Sequence, residues 1–379
     1  MVQKDRSRAA PRLAEKRENS VGKLLVVRRR DVQHPSRARS AAARGVCYDT
    51  RALPHGGDES LAEILGSGRK ILPGLRGEKK RVENRRREIQ VVRCAMETAK
   101  KFEYPENFIK YLGTSGGRFS MIRQLRSTGG LWFRYGDVQG VIDPGPGSLA
   151  HICAARPALE IASADVVMLT HKHIDHSTDV NVVIEGMTHG GFDSRGMLVA
   201  PDDALRGNDP VVLKYSQKRI PKIKIPEEGG KIELGSGVVV EPVIHLHHGV
   251  DCFGYIFRKE GLREWGIISD SRMMPYFRSR YSACAFISIN ATFPDRKPRL
   301  DHISIAEARE LLSKIHPKLA VLTHLGAMLT SGDGAHFLEN LDLPETKLLA
   351  ATDGMTIDLD TLKVYEERVA PRDVEYSEQ

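Results

Sequence analysis

The chain has 379 residues, of which 41% are apolar, and its 57 Lys and Arg against 49 Asp and Glu give a formal net charge of +8. This length allows one large domain or two ordinary ones, with enough apolar residues for a packed core. No apolar run reaches the roughly 18 residues of a membrane span, so a membrane protein is not expected. The five cysteines are scattered, odd in number and without a C-x-x-C pair, which favours a cytoplasmic location over a disulfide-bonded secreted protein.

The positive charge is concentrated in residues 1–95, which contain 24 Lys and Arg but 11 Asp and Glu, a net of +13 that leaves −5 for the remainder. Dense basic runs alternate there with Gly, Ser and Pro, a composition typical of disordered segments. We interpret residues 1–95 as a basic, disordered N-terminal extension and residues 96–379 as the functional domain, with Met96 as its natural start. A nucleic-acid-binding arm and a targeting leader are the alternatives for the extension.

Apolar runs that end in turns predict a series of β-strands in the first part of the domain. Residues 109–114 are predicted to form a strand that leads into the glycine-rich turn 115–117, and residues 131–135 and 140–143 to form a hairpin. A turn-rich stretch follows at residues 143–148. The next apolar run, residues 165–170, is typical of a buried strand.

Directly after that strand comes the sequence His171-Lys172-His173-Ile174-Asp175-His176. An extended backbone points His171 and His173 to one side, and a turn then aims Asp175 and His176 at a neighbouring point. Imidazole nitrogens and carboxylate oxygens are the usual zinc ligands of catalytic sites. Four such residues at this spacing predict two metal ions held close together, against the alternative of a surface turn with chance histidines.

The rest of the domain continues the pattern of apolar strands, several of which end in a potential metal ligand. Strands are predicted at residues 196–201, 238–247, 265–270, 285–290 and 319–324, a helix at 305–315, and a last strand pair at 347–351 and 355–359. Six basic residues between positions 202 and 224 could contact phosphates or form a solvated face. They are Arg206, Lys214, Lys218, Arg219, Lys222 and Lys224, with Arg195 just before them.

The H-x-H-x-D-H motif resembles that of the metallo-β-lactamase superfamily, and the resemblance covers Phe108 to Leu359. Within that superfamily the chain is most similar to the ribonuclease Z branch. The similar motifs are Leu112-Gly113-Thr114 with its following glycines, Asn290-Ala291-Thr292-Phe293, Asp301-His302-Ile303-Ser304 and Leu322-Thr323-His324. The resemblance implies an α/β fold of the αβ/βα sandwich type, with two mixed β-sheets packed face to face, helices outside and metals at one edge.

The resemblance also implies the members of a binuclear zinc site, for which Mn²⁺ or Fe²⁺ is an alternative. The expected metal ligands are His171, His173 and His248 for one ion and Asp175, His176 and His324 for the other, with Asp270 between them. His248 is preferred to His247 because it stands before Gly249-Val250 and the Phe253-Gly254-Tyr255 tripeptide. Asp143 and His247 are expected to hydrogen-bond the ligands and orient them. Asp175 and His302 are the expected catalytic residues, with His302 as general acid.

The implied function is a phosphodiesterase in which a metal-bridging hydroxide attacks phosphorus. Two departures weaken tRNA as substrate: Asn290 replaces a family glutamate that pairs with the histidine matching His302, and the sequence lacks a Gly/Pro-rich insertion for a tRNA-gripping arm. Asp295 or Asp301 could substitute for that glutamate. The expected substrate is RNA or a small cyclic phosphate or cyclic nucleotide. A metal-dependent lactonase or ester hydrolase, and a nucleic-acid-binding protein acting through the basic arm, are the alternatives; a homodimer is expected by analogy.

Overall fold

The structure, a computed structural model, describes residues 102–339, 341 and 343–366. The N-terminal extension interpreted at residues 1–95, and the proposed start at Met96, lie outside the described residues. The strands are β1 (Phe108–Tyr111), β2 (Leu131–Tyr135), β3 (Val138–Ile142), β4 (Val166–Met168), β5 (Met197–Val199), β6 (Lys222–Lys224), β7 (Ile232–Gly235), β8 (Val238–His247), β9 (Val250–Arg258), β10 (Trp265–Ile268), β11 (Phe286–Asn290), β12 (Leu319–Thr323), β13 (Lys347–Ala350), β14 (Thr356–Asp358) and β15 (Val364–Tyr365).

Short helices connect these strands. They are α1 (Arg118–Arg123), α2 (Ser148–Ala154), α3 (Ile174–Ser177), α4 (Val180–Met187), α5 (Asp202–Leu205), α6 (Lys214–Gln217), α7 (Phe277–Arg280), α8 (Ile305–Ile315) and α9 (Ala327–Thr330), with 3-10 turns at Ile161–Ser163, His189–Gly191 and Gly332–Leu338. Helix α8 begins where the sequence predicts, because Ser304 and Glu307 form a reciprocal capping box.

Two mixed sheets pack against each other. The first has the strand order β15-β14-β1-β2-β3-β4-β5-β6 and the second β13-β12-β11-β10-β9-β8-β7. The inner core between them contains aromatic side chains of both sheets; Phe257 stacks on Trp265 with ring centroids 4.0 Å apart. Apolar residues on the outer faces pack against helices, α4 on the first sheet and α8 on the second. The predicted αβ/βα sandwich is confirmed.

The predicted pairing of the last two strands is wrong. Strand β13 pairs in parallel with β12 in the second sheet, whereas β14 pairs antiparallel with β1 in the first. The turn at Asp353-Gly354 therefore carries the chain from one sheet to the other. The two Asp353 carboxylate oxygens accept hydrogen bonds from Thr114 and from the Ser127 backbone, which fixes this crossing beside β1.

One edge of the sandwich collects the carboxyl ends of the parallel strands, where ligands of open α/β sheets usually bind. Strands β3, β4, β10 and β12 end there, each followed within three residues by one of the predicted site residues, which are Asp143, His171, Asp270 and His324. None of the helices in the described part of the chain has the length and apolar character needed to cross a bilayer. The cysteines of that part, Cys153, Cys252 and Cys284, are free thiols.

Candidate metal centre

Three imidazoles, which we call the imidazole group, converge at the site: His171, His173 and His247. The Nδ1 atom of His173 lies 3.1 Å from Nε2 of His171 and 3.0 Å from Nε2 of His247. His171 follows β4, and His247 is the last residue of β8 in the opposite sheet. The packing of the two sheets therefore brings the group together.

Asp175, His176 and His324 form a second set, which we call the mixed group because it combines a carboxylate with two imidazoles. The Nε2 atoms of His176 and His324 are 3.1 Å apart, and Nε2 of His324 lies 3.3 Å from Oδ2 of Asp175. Helix α3 presents Asp175 and His176 from its first turns, and His324 follows β12 with a positive φ of 55°.

The carboxylate of Asp270 lies between the two groups. Its Oδ2 is 3.5 Å from Nε2 of His247 in the imidazole group, and 3.6 Å and 3.3 Å from Nε2 of His176 and His324 in the mixed group. Its Oδ1 accepts a hydrogen bond of 2.8 Å from the side-chain amide of Asn290. One oxygen is thus anchored while the other faces both groups.

Hydrogen bonds fix the orientation of the inward-facing imidazoles. Asp143 accepts from Nδ1 of His176 at 2.9 Å and from the Thr170 hydroxyl at 2.7 Å. Because that hydroxyl donates to a carboxylate, it accepts from Nδ1 of His171 at 3.0 Å. Nδ1 of His247 donates to the Asp301 carbonyl at 2.8 Å. With Nδ1 hydrogen-bonded in this way, Nε2 of each ring is the nitrogen directed at the centre.

His247 occupies the place for which the sequence analysis chose His248. Side chains alternate along β8, so His245 and His247 both point inward, whereas His248 lies in the following turn with a positive φ of 43°. The His247 side chain is 1% exposed and that of His248 is 35% exposed. The structure therefore brings His247, and not His248, to His171 and His173.

Burial governs the charge state of the imidazole group. It lowers the pKa of His171, and it lowers the pKa values of His173 and His247 to about 4, with the neighbouring imidazoles adding to the effect for His171 and His173. These rings are neutral near pH 7, which is the form that binds a metal. Nitrogen lone pairs about 3 Å apart repel each other unless a cation lies between them.

The carboxylates of the centre keep their charge, whereas the rings of the imidazole group are neutral. Burial would raise the pKa of Asp175, but His176 and His324 outweigh it and hold that pKa well below its ordinary value. Burial would also raise the pKa of Asp270, but His324 and His302 outweigh burial and keep that pKa low. Asp175 and Asp143 overcome burial and raise the pKa of His176, so near pH 7 its Nε2 holds a proton that a bound metal would displace. A buried set with ionised carboxylates and imidazole lone pairs fits divalent cations chemically.

His302 lies beside the centre on the outer side of Asp270. Its Nδ1 is 3.2 Å from the Thr292 hydroxyl and 3.6 Å from Oδ2 of Asp270. Burial lowers its pKa to about 4. Among the described residues its Nε2 has no hydrogen-bond partner, which leaves this atom available to a substrate.

Neither of the aspartates suggested to replace the family glutamate pairs with His302. Asp295 is exposed. The Asp301 carboxylate instead accepts two hydrogen bonds from the guanidinium of Arg272 and one from the His248 backbone, at 2.5–2.9 Å. Burial would raise the pKa of Asp301, but these donors outweigh burial and lower it. This network places the half-exposed Arg272 cation at the rim of the centre.

The glycine turn 115–117 lies against the mixed group. A Cβ on Gly116 would lie 2.1 Å from the His324 ring, so only glycine allows this approach. The Gly117 amide donates to Oδ2 of Asp175 at 2.9 Å. The glycine-rich turn predicted from the sequence thus positions Asp175, one of the predicted metal ligands.

The geometry agrees with comparisons of the whole chain. A sequence model described as a β-lactamase superfamily domain matches residues 140–325, which include every residue of both groups and Asp270. Residues 140–325 are a domain of the metallo-β-lactamase superfamily. The matched region ends one residue after His324, the last residue of the mixed group, so it spans both groups and Asp270.

Similar proteins agree with this assignment. The chain is 25% identical over 229 residues to an uncharacterised protein of Methanocaldococcus jannaschii, covering 59% of this chain and 84% of that protein. The metallo-β-lactamase-fold protein YhfI of Bacillus subtilis has a TM-score of 0.54 at 16% identity, with 66% of this chain and 98% of YhfI covered. The short form of human tRNase Z has a TM-score of 0.50 at 16% identity, with 66% and 99% covered. These structural likenesses show the fold.

Sequence reasoning missed four contributors to the centre: Thr170, Asn290 in its contact with Asp270, Thr292 and Arg272. Thr170 is an ordinary strand-end residue, and Thr292 stood in the motif Asn290-Ala291-Thr292-Phe293 without a role assigned to it. Asn290 was interpreted as a lost partner of His302, whereas its amide holds the central carboxylate. Arg272 follows Asp270 by two residues, and only its contact with Asp301 reveals its position.

Proposed function

We propose that this chain is a binuclear, zinc-dependent phosphodiesterase of the ribonuclease Z-like branch, with Mn²⁺ or Fe²⁺ as possible alternatives. The observation that carries the proposal is the position of Asp270 Oδ2, within 3.3–3.6 Å of nitrogens from both groups. One metal needs only three protein ligands and a water, so two complete triads sharing a carboxylate suit two ions. The proposed ligands are His171, His173, His247, Asp175, His176, His324 and Asp270.

Two bound divalent ions would lower the pKa of a water to supply the nucleophile and would offset the charge of a phosphodiester. Other residues of the chain hold the proposed ligands in position. Asp143 and the Asp301 carbonyl hold His176 and His247 in single tautomers, which keeps Nε2 of each ring directed inward. Asn290 keeps Asp270 aligned between the groups.

His302 is the proposed proton-transfer residue. Its Nε2 has no hydrogen-bond partner among the described residues, and its low pKa makes the ring neutral near pH 7 in the free protein. An anionic phosphate bound beside it would favour the protonated ring, which could then donate to the leaving oxygen. Arg272, held by Asp301, adds a fixed positive charge at the rim where a phosphate oxygen would lie.

The likeness to human tRNase Z gives limited support for the choice of substrate. That protein acts on tRNA according to its name, and its identity to this chain is 16%. We therefore propose a phosphodiester substrate, RNA or a smaller cyclic phosphate or nucleotide, without proposing tRNA itself. A homodimer and a cytoplasmic location stay predictions.

Metal analysis of protein purified without chelator, combined with turnover of bis-p-nitrophenyl phosphate and of a simple lactone, tests the proposal. We expect about two zinc per chain. Phosphodiester turnover should fall on the order of a thousandfold in Asp175→Ala, because the variant loses a charged ligand of the mixed group. Asp295→Ala, at an exposed aspartate outside the centre, is the matched control and should retain full turnover.

Two results would contradict the proposal. Unchanged phosphodiester turnover in Asp175→Ala would separate the activity from the metal centre. Turnover of the lactone alone, with two metals bound, would favour the ester-hydrolase alternative on the same centre.

A further inference from the structure

A basic groove lies on the first sheet, next to its edge strand β6. Its volume is about 510 Å³, within the range of about 300–1,000 Å³ that ligand pockets occupy. Its walls come from the end of α5, the loop after it, helix α6 and strand β6. The lining residues that the argument uses are Leu205, Arg206, Pro210, Lys214, Lys218 and Ile223.

Hydrogen bonds hold the backbone around the groove in a defined arrangement. The side-chain amide of Gln217 donates to the carbonyls of Leu205 and Val212, at 3.0 Å and 2.9 Å. The Val211 and Val212 amides both donate to the Ala204 carbonyl. Helix α6 is therefore fixed to the end of α5, so the backbone on these two sides of the groove is held in place.

The charge of the groove is positive and largely uncompensated. Lys214 and Lys218 are exposed, stand one helical turn apart, and form no ion pair with any residue in the described ranges. Arg206 is paired with Asp202 at 2.7 Å, while the neighbouring Asp209 is engaged by Lys172. Two unpaired ammonium groups beside apolar walls would attract an anion that also carries apolar surface.

Ion pairs connect the groove to the segment 171–173, which contains two residues of the imidazole group. Lys172, between two residues of the imidazole group, contacts Asp209 at 3.0 Å and Asp203 at 4.0 Å. Asp209 directly precedes the groove residue Pro210, and Asp203 accepts a hydrogen bond from the Asp251 amide at the start of β9. The wall of the groove is thus attached to the segments that hold His171, His173 and His247.

We propose that this groove binds the sugar–phosphate backbone of single-stranded RNA that extends from the metal centre. Lys214 and Lys218 would contact successive phosphates, and Pro210 and Ile223 would pack against sugar or base surfaces. The inference rests on the proposed phosphodiesterase function and makes its substrate an oligonucleotide.

The first test measures where and how strongly the full chain binds a labelled, cleavage-resistant 2′-O-methyl oligouridine 12-mer. Hydrogen–deuterium exchange should show protection of peptides covering residues 205–223. Lys214→Glu/Lys218→Glu should weaken binding at least about fivefold and reduce the salt dependence of log K by about 1.4, from about 0.7 per phosphate contact. Lys231→Glu/Lys347→Glu, an equal charge change at exposed positions just before β7 and on β13, is the control and should bind normally.

Turnover of bis-p-nitrophenyl phosphate separates this inference from the proposed function. The groove variant should retain it, because Lys214 and Lys218 belong to neither group of the metal centre. Equal oligonucleotide binding by the groove and control variants, or no protection of residues 205–223, would overturn the groove while leaving the phosphodiesterase intact. Protection of residues 205–223 from exchange by a polyglutamate peptide, but not by the oligonucleotide, would also overturn the assignment of RNA to the groove. Groove protection without any phosphodiester turnover would support the groove and reject the proposed function.

Discussion

The imidazole group and the mixed group lie side by side but carry their charge differently. Burial keeps the rings of the imidazole group neutral, and this group has no carboxylate of its own. The mixed group contains Asp175, and its His176 is hydrogen-bonded to Asp143. The imidazole group therefore depends on Asp270, at 3.5 Å from His247, for the negative charge that would stabilise a cation there.

The largest effect is expected when that shared charge is removed. Asp270→Asn should lower phosphodiester turnover on the order of a thousandfold, because both groups lose their common ligand. We expect metal analysis to show loss of at least one ion per chain, from the imidazole group first. Two retained ions with near-normal turnover would show that the groups do not share Asp270.

A paired substitution on β8 tests the membership of the imidazole group. His247→Ala should reduce turnover about a hundredfold and weaken metal binding, because it removes a buried nitrogen 3.0 Å from His173. His248→Ala should change turnover less than about tenfold, since its side chain lies outside the group. The reverse order of effects, measured as kcat/KM with metal content, would restore His248 as the ligand.

The sequence predicted the convergence of side chains that share one segment better than it predicted contacts that depend on partners across the sandwich. His171, His173, Asp175 and His176 share one segment, so their convergence needs only a strand and a turn. The choice of His248 relied on family spacing, whereas the alternation of inward side chains along β8 would have favoured His247. The predicted pairing of β13 with β14 was wrong because local apolar patterns do not specify which strand is the neighbour.

The smallest predicted effect concerns His245, which points inward two residues before His247. Burial lowers its pKa to about 3, whereas an unfolded histidine has a pKa of about 6.5. Between these values the unfolded chain binds the proton and the folded chain does not, so stability is lost as pH falls. His245 should account for about 2 kcal/mol of the decrease in unfolding free energy between pH 7 and pH 5.

Urea unfolding of the metal-free protein at several pH values measures this contribution. His245→Gln should show a shallower loss of stability on acidification, whatever its stability at pH 7. Leu246→Gln, at the exposed neighbouring position, should keep the slope of the unmutated protein. A His245→Gln slope equal to that of Leu246→Gln would mean that burial does not hold this face of β8 neutral.

The most direct test of a shared binuclear centre is a crystal structure of the zinc-loaded chain with anomalous scattering measured at the zinc edge. We predict two peaks about 3.5–4 Å apart, one within the imidazole group and one within the mixed group, with Asp270 Oδ2 between them. A single peak, or a second ion bound away from Asp270, would contradict the account.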